Sequence, residues 1–212
     1  MKTVKIVFVD NIDTVLKSQL ETLNNTLSYL FEKGENWPTD LSFEMHDAQH
    51  MEISYSNKYS FHIISHTLTF EDENTDYSQK AQDLIDDFHE LTFRTLFVID
   101  LCLDSQNNNE KTGRKLATAL VESNTDGIKT VACTGIPDYD RYEIENVPIY
   151  HRTINRKGKF HNTFPALSFS SSIDQLDIVP EEPFRKFLEL LLKNPFNNTQ
   201  YLGEILLAAT II

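Results

Sequence analysis

The sequence predicts an α/β protein built on a doubly wound, mostly parallel five-stranded sheet with a β-hairpin insertion. Two apolar runs, 6–9 and 96–99, have strand length and no alternating polar positions, which is typical of strands buried on both faces. Each run ends on an aspartate, Asp10 or Asp100, and a segment with helical spacing follows it. Strand, acidic turn and helix together indicate the β–α units from which parallel sheets are built.

The first predicted helix follows Asp10. Its apolar positions recur every three or four residues and therefore form one face: Leu16, Leu20, Leu23, Leu27 and Leu30. Asp13 or Thr14 can cap its start, and Gly34 and Pro38 end it.

The segment 41–60 predicts a β-rich insertion. Apolar and polar residues alternate or cluster there in the manner of strands, and 56–58 has the composition of a turn. We therefore expect a hairpin followed by a core strand. An acidic loop at 71–76 then leads to a helix at 78–91, which Ser78 can cap.

The second half of the chain continues the alternation of strands and helices. A helix follows Gly113, and a strand at 128–133 ends on Thr134. Residues 147–150 predict one more strand, and a basic stretch follows it.

Residues 181–212 predict C-terminal helices. We expect their apolar tail, which includes Leu206 and Leu207, to pack on the domain itself, with a homodimer contact as the alternative. The sequence has no repeat and no long linker, so residues 1–212 predict a single domain.

The charge balance limits the classes of partner. The 212 residues carry a net charge of −13 at pH 7, whereas nucleic acids and anionic membranes are bound through basic surfaces. We therefore expect neither as a partner. A negative protein suits a bound divalent cation or a basic protein partner.

Three features predict a cytoplasmic location. The first residues lack the pattern of a secretory leader, and no apolar run reaches the length of a transmembrane helix. Cys102 and Cys133 lie in apolar runs, which favours reduced, buried thiols over a disulfide. A redox pair formed by these two thiols is the less favoured alternative.

Polar side chains follow several predicted strands at the point where each strand ends. They are Asp10 with Asn11, then Asp100, then Thr134. The carboxyl ends of neighbouring parallel strands lie roughly 4.8 Å apart, so these groups can share one small ligand. Their oxygen atoms suit Mg²⁺, and a carboxylate beside such a cation can accept a phosphoryl group.

The chain resembles the receiver domains of two-component response regulators. In chain order, the matching motifs are 7–11 before the leucine-spaced helix, 97–103, Gly113 at the start of a helix, and 130–135. The resemblance covers roughly residues 4–155 and 183–193. It implies a flavodoxin-like, receiver-like fold and a role in two-component signalling.

The resemblance implies a role for the residues at the first and third strand ends. Asp100 would be the phosphoacceptor. Asp10, Asn11 and the backbone at Cys102 would hold Mg²⁺ together with Asp100. The only chemistry implied is phosphorylation of the domain itself, so we expect no further enzymatic activity.

The resemblance also implies a switch and partners. Thr134 would be the hydroxyl that contacts the phosphoryl group, and Arg152 or Lys157 would replace the basic residue that usually follows the fifth strand. A histidine kinase or a phosphotransfer protein would supply the phosphoryl group. Because no DNA-binding module is evident, we expect output through contact with another, unknown protein.

Departures from the family pattern leave two alternatives open. Asn11 stands where a second acid is usual, Asp104 stands where a proline is usual, and no Lys-Pro pair follows the fifth strand. These departures favour a pseudo-receiver, which binds partners without phosphotransfer. A small metal-dependent phosphohydrolase is less favoured, because Ile12 and Cys102 stand where haloacid-dehalogenase-type phosphatases need a second aspartate.

Histidines occur twice at a spacing of four residues, as His46 with His50 and as His62 with His66. The first pair resembles the spacing of a zinc-binding helix. The flanking residues predict strands, however, and no third ligand is evident from the sequence. We therefore favour ordinary strand positions for these histidines.

Overall fold

One mixed sheet forms the centre of the protein. The computed structural model describes residues 1–34, 37–70, 75–104, 111–134, 147, 149–151, 182–193 and 199–210. The strands in these residues are β1 (Lys2–Asp10), β2 (Leu41–Asp47), β3 (His50–Tyr55), β4 (Tyr59–Thr67), β5 (Arg94–Asp100), β6 (Ile128–Thr134) and β7 (Ile149–His151). Across the sheet they lie in the order β2-β3-β4-β1-β5-β6-β7.

The predicted doubly wound, mostly parallel five-stranded sheet with a hairpin insertion is wrong. The described sheet has seven strands and a mixed orientation, because β3 runs antiparallel to both of its neighbours, β2 and β4. The segment 41–60 is not an insertion beside the sheet. β3 pairs with β4 along its whole length, from His50↔Ile64 to Tyr55↔Tyr59, so the hairpin extends the main sheet.

Helices pack on both faces of this sheet. In the described residues they are α1 (Asp13–Lys33), α2 (Tyr77–Phe88), α3 (Lys111–Glu122), α4 (Glu182–Lys193) and α5 (Thr199–Thr210). α2 is capped by Asp76, which accepts hydrogen bonds from the backbone N–H groups of Ser78 and Gln79, and not by Ser78 as the sequence had indicated. None of the described helices is long and apolar enough to span a membrane.

The larger core lies between the sheet and the helices α1, α4 and α5. The leucines of α1 at 16, 20, 23 and 27 are buried there, and so are Leu206 and Leu207 of α5. Alternate residues of β3, Met51, Ile53 and Tyr55, face the same core. The hairpin therefore contributes a full apolar face to the main core, which is why it belongs to the sheet.

The second core lies between α2, α3 and the opposite face of the sheet. Val7, Val9, Phe97 and Ile99 contribute to it from β1 and β5. Because both faces of β1 and β5 are covered, their central residues are almost completely buried. This burial explains the continuous apolar runs in the sequence.

Substitution of Phe184 provides a test of how α4 packs on strands β3 and β4. Its ring is fully buried and lies 5.1 Å from Tyr55, 5.4 Å from Tyr59 and 5.9 Å from Phe61, measured between ring centroids. We expect Phe184→Ala to lower the free energy of unfolding by about 3–5 kcal/mol, because it leaves a cavity in this cluster. Urea denaturation measures the change.

Phe31→Ala is the matched control, because it removes the same ring from a position that is 59% exposed. We expect it to cost about 1 kcal/mol or less, as usual for surface changes. Equal losses in the two variants would contradict the packing described for α4.

Candidate functional site

Two aspartates lie side by side where the parallel strands β1 and β5 end. The register pairs Val9 with Ile99, so the next residues of the two strands, Asp10 and Asp100, are neighbours. Both are buried, with exposed fractions of 3% and 9%. Strand β4 lies on one side of β1, and strand β5, which follows β4 in the chain, lies on the other side of β1. The order in which parallel strands are added to the sheet therefore reverses between β1 and β5. In α/β sheets such a reversal opens the crevice in which ligands bind.

Each aspartate is fixed by the same local turn. Asp10 Oδ1 accepts a hydrogen bond of 3.0 Å from the backbone N–H of Ile12. Asp100 Oδ2 accepts one of 3.0 Å from the backbone N–H of Cys102. A carboxylate has two oxygens with about four acceptor positions. These turns therefore help to orient both carboxylates.

Asn11 ties the loop after β1 to the loop after β5. Its Nδ2 donates a hydrogen bond of 3.1 Å to the backbone carbonyl of Asp104. Asp104 also forms a parallel bridge with Phe70, from the loop after β4. The three loops around the two aspartates are therefore joined through Asp104, a contact that the sequence does not reveal.

The start of α3 packs directly against the end of β5. The Gly113 N–H donates a hydrogen bond of 3.1 Å to the Leu101 carbonyl, and Thr112 Oγ1 accepts one of 3.1 Å from the Leu103 N–H. A Cβ atom at Gly113 would overlap the Asp100 carbonyl oxygen and come within 2.7 Å of Leu101 Cα. Only glycine fits here. The sequence indicated Gly113 as a helix start, but it gave no signal for Thr112.

The remaining predicted site residues are Thr134, Arg152 and Lys157. Cys133 of β6 pairs with Asp100, and Thr134 is the next residue, at the end of the same strand. The backbone of Thr134 thus lies at the same edge of the sheet as the two aspartates. Arg152 and Lys157 lie outside the described residues.

The cysteines differ in burial. Cys133 is buried and Cys102 is partly exposed. Cys133 faces the larger core, where it packs as a small apolar side chain. Cys102 contributes its backbone N–H to the turn at Asp100.

The rim of the site has its own electrostatic features. A hydrogen bond from Lys17 is the main reason why the pKa of Asp13, at the start of α1, lies below its ordinary value. Burial, and then the charge of Asp104, raise the pKa of Tyr77. Near neutral pH, Asp13 is therefore a carboxylate and Tyr77 keeps its proton.

The carboxylate oxygens of the two aspartates would suit Mg²⁺, which keeps water ligands, better than a metal ion whose ligands all come from the protein. Among the described residues, no three His, Cys, Asp or Glu side chains form a metal-binding group. Mg²⁺ keeps several waters and needs only one or two carboxylates, with substrate phosphate oxygens completing its shell. Asp10 and Asp100 can supply those two carboxylates.

Comparison with known proteins adds no assignment. No protein-family model matches the sequence, and no curated protein matches it either. Functional inference therefore rests on the residues of the site.

Gly113→Ala tests the close approach of α3 to the end of β5. Alanine normally favours a helix over glycine by up to about 1 kcal/mol. We nevertheless expect a net loss of about 1–3 kcal/mol in the free energy of unfolding, because the overlapping atoms belong to the backbone and cannot swing aside. Urea denaturation measures the difference.

Arg114→Ala, at the next position of α3, controls for helix propensity. We expect its free energy of unfolding to stay within about 0.5 kcal/mol of the native value. A Gly113→Ala variant as stable as the native protein would show that the two backbones do not approach this closely.

Proposed function

We propose that the protein is a receiver-like signalling domain in which Asp100 accepts a phosphoryl group. One observation supports this proposal most strongly: Asp10 and Asp100 are buried side by side where the parallel strand order reverses. Two carboxylates at such a position can supply the oxygen ligands that Mg²⁺ takes from proteins, which a magnesium-dependent phosphoacceptor site needs.

The residues of the chain have distinct parts in this reaction. One carboxylate oxygen of Asp100 attacks the phosphorus atom of the donor, and the bond between phosphorus and the leaving group breaks. The leaving group departs with the bonding electron pair, and Asp100 becomes an acyl phosphate. The turn to the Cys102 N–H holds the carboxylate in one orientation during the attack.

Asp10 and Asp100 would hold Mg²⁺, with Asn11 and the backbone at Cys102 at the rim of its shell. The bound cation would offset the negative charge of the phosphoryl oxygens. Thr134, the last residue of β6, would be the hydroxyl that contacts the phosphoryl group, and the basic residue would be Arg152 or Lys157.

The output of such a domain is a protein contact. The acyl phosphate carries about two negative charges where the carboxylate carried one, and its oxygens can reorganise the loops that meet at Asp104. The donor would be a histidine kinase or a phosphotransfer protein. The net charge of −13 argues against nucleic acid as the target of the output.

A pseudo-receiver, which binds partners without phosphotransfer, is the second candidate. The observation that favours it is the hydrogen bond from the Asn11 amide to the Asp104 carbonyl. This hydrogen bond gives Asn11 a structural role. In the resemblance, the same position usually carries a second acid, which would strengthen a magnesium site. In this alternative the two aspartates serve as turn residues.

Phosphorylation by acetyl phosphate separates the two candidates. We expect intact-mass analysis of the native protein, incubated with acetyl phosphate and Mg²⁺, to show one added phosphoryl group. Asp100→Asn should show none, because an amide is not a nucleophile at this site. Asp10→Asn should form the adduct much more slowly, because the metal site loses a carboxylate.

Asp104→Asn is the matched control, since it changes an aspartate in the same loop but leaves the phosphoacceptor intact. We expect it to form the adduct. Circular dichroism establishes that every variant is folded. A folded native protein without an adduct would overturn phosphotransfer and leave the pseudo-receiver.

A further inference from the structure

A polar cluster lies on the three antiparallel strands, away from the two aspartates. Its members, which we call the histidine cluster, are His46, His50, Glu52, Ser60 and His62. Most apolar residues of these strands face the larger core, and the cluster lies on the opposite face together with Ile64. The described part of the second core takes no residue from β2, β3 or β4, so the described helices α2 and α3 do not pack their apolar faces over the cluster.

Two pairs of donor atoms in the cluster are each spaced like two ligands of one metal ion. His50 Nε2 lies 3.3 Å from His62 Nδ1, and His46 Nε2 lies 3.4 Å from Glu52 Oε2. Nitrogen ligands at 2.0–2.1 Å from a tetrahedral zinc ion are about 3.3 Å apart. The rings of His46 and His50 are neighbours, with centroids 4.6 Å apart.

The hydrogen bonds around the cluster also favour a metal site. His62 Nε2 lies 3.2 Å from Ser60 Oγ, and Ser60 Oγ donates to Glu52 Oε1 at 3.0 Å. Since the serine hydroxyl donates its proton to the carboxylate, it accepts from His62 Nε2–H. His62 Nδ1 then carries the lone pair. Outer hydrogen bonds of this kind orient histidine ligands in metal sites.

Glu52 is oriented by the same hydrogen bonds. Its Oε1 accepts from the hydroxyls of Ser54 and Ser60, and its Oε2 is the oxygen that faces His46. These hydrogen bonds, with that from Ser54 first, hold the pKa of Glu52 below its ordinary value. The side chain is therefore a carboxylate at neutral pH, as a metal ligand must be.

We propose that His46, His50, His62 and Glu52 bind a divalent transition metal ion of the zinc class. Among the described residues, no three such side chains are already grouped as a metal site. Binding therefore requires the His46 ring, which is 35% exposed at the rim, to rotate toward the other two. The bound ion would clamp β2, β3 and β4 at the edge of the sheet.

Protons compete with the metal at this site. Burial, and then the neighbouring His46 and His62, hold the pKa of His50 below its ordinary value of 6.5, while Asp47 and Glu52 act in the opposite direction. Other charged groups lie near the cluster. Glu44 Oε1 is 3.9 Å from His46 Nδ1. The ring of Phe93 stacks on His62 and contacts Lys5, which forms an ion pair with Glu90.

Zinc titration of the full chain tests the proposal. After removal of metal by chelation, we expect calorimetry at pH 7.5 to show one Zn²⁺ per chain. His50→Ala and His62→Ala should each weaken binding by at least about 100-fold, because each removes a ligand. Ser60→Ala should weaken it by about 10–100-fold, the usual effect of losing an outer hydrogen bond to a ligand.

His66→Ala is the matched control. His66 lies on the same strand and the same face as His62, but its ring contacts Phe88, and burial likewise lowers its pKa. We expect Zn²⁺ affinity to be unchanged in this variant. Co²⁺ should give the strong visible absorption of a tetrahedral site in the native protein and in His66→Ala, but not in His50→Ala.

Two results would overturn the proposal: no stoichiometric Zn²⁺ binding by the native protein, or equal losses in His66→Ala and His50→Ala. Circular dichroism checks that each variant is folded, and His46→Ala, at the exposed rim, provides a second ligand variant. None of the cluster residues belongs to the Asp10–Asp100 site, so Zn²⁺ binding by a native protein that forms no phosphoryl adduct would still support the proposal.

Lowering the pH provides a further check on the histidine ligands. Histidine binds a metal only in its neutral form, so protons compete with the metal for these ligands as the pH falls. We expect the Zn²⁺ affinity of the native protein to fall between pH 7.5 and pH 5.5. An affinity constant across this range would exclude histidine ligation.

Discussion

The pairing of β1 between β4 and β5 is the constraint on which the rest of the structure depends. β1 is paired with β4 along all nine of its residues and with β5 over most of its length. Helices cover both of its faces, so Val4 and 6–9 are almost completely buried. Because these strands are locked in register by two cores, their carboxyl ends cannot shift relative to each other. The position of Asp10 beside Asp100 follows from this packing.

The scaffold holds the two aspartates in fixed positions, although burying a carboxylate costs desolvation free energy. Each carboxylate accepts a backbone N–H in a turn, which offsets part of the cost of burial. The close contact of Gly113 with the end of β5 leaves the Asp100 turn little freedom. A rigid pair of oxygen ligands of this kind is suited to a hard cation.

The sequence was most informative where one signal determined one structural feature. The apolar runs that end on Asp10 and Asp100 gave the two central strands, because a strand covered on both faces needs no polar positions. The sequence could not show how 41–60 joins the sheet. Alternating burial looks the same in a separate hairpin and in edge strands of a main sheet. Only the pairing of β3 with β4 distinguishes the two.

Contacts between distant loops were equally inaccessible to the sequence. The hydrogen bond from Asn11 to Asp104 joins residues far apart in the chain, and its geometry depends on both loops at once. The start of α2 depended on a smaller difference. Asp76 and Ser78 are both good capping residues, and the backbone conformation at Asp76 decides between them.

The histidines show why spacing along the chain is a poor guide to metal sites in β structure. The spacing of His46 and His50 resembles that of a zinc-binding helix, but the two residues lie on different strands joined by a turn, as the flanking residues predict. Their partner, His62, comes from a third strand and faces them because Glu52 pairs with His62 across the ladder. In a sheet, side chains are brought together by register, and register is set by the apolar residues on the other face. The core that makes 41–60 part of the main sheet therefore also assembles the histidine cluster on the opposite face.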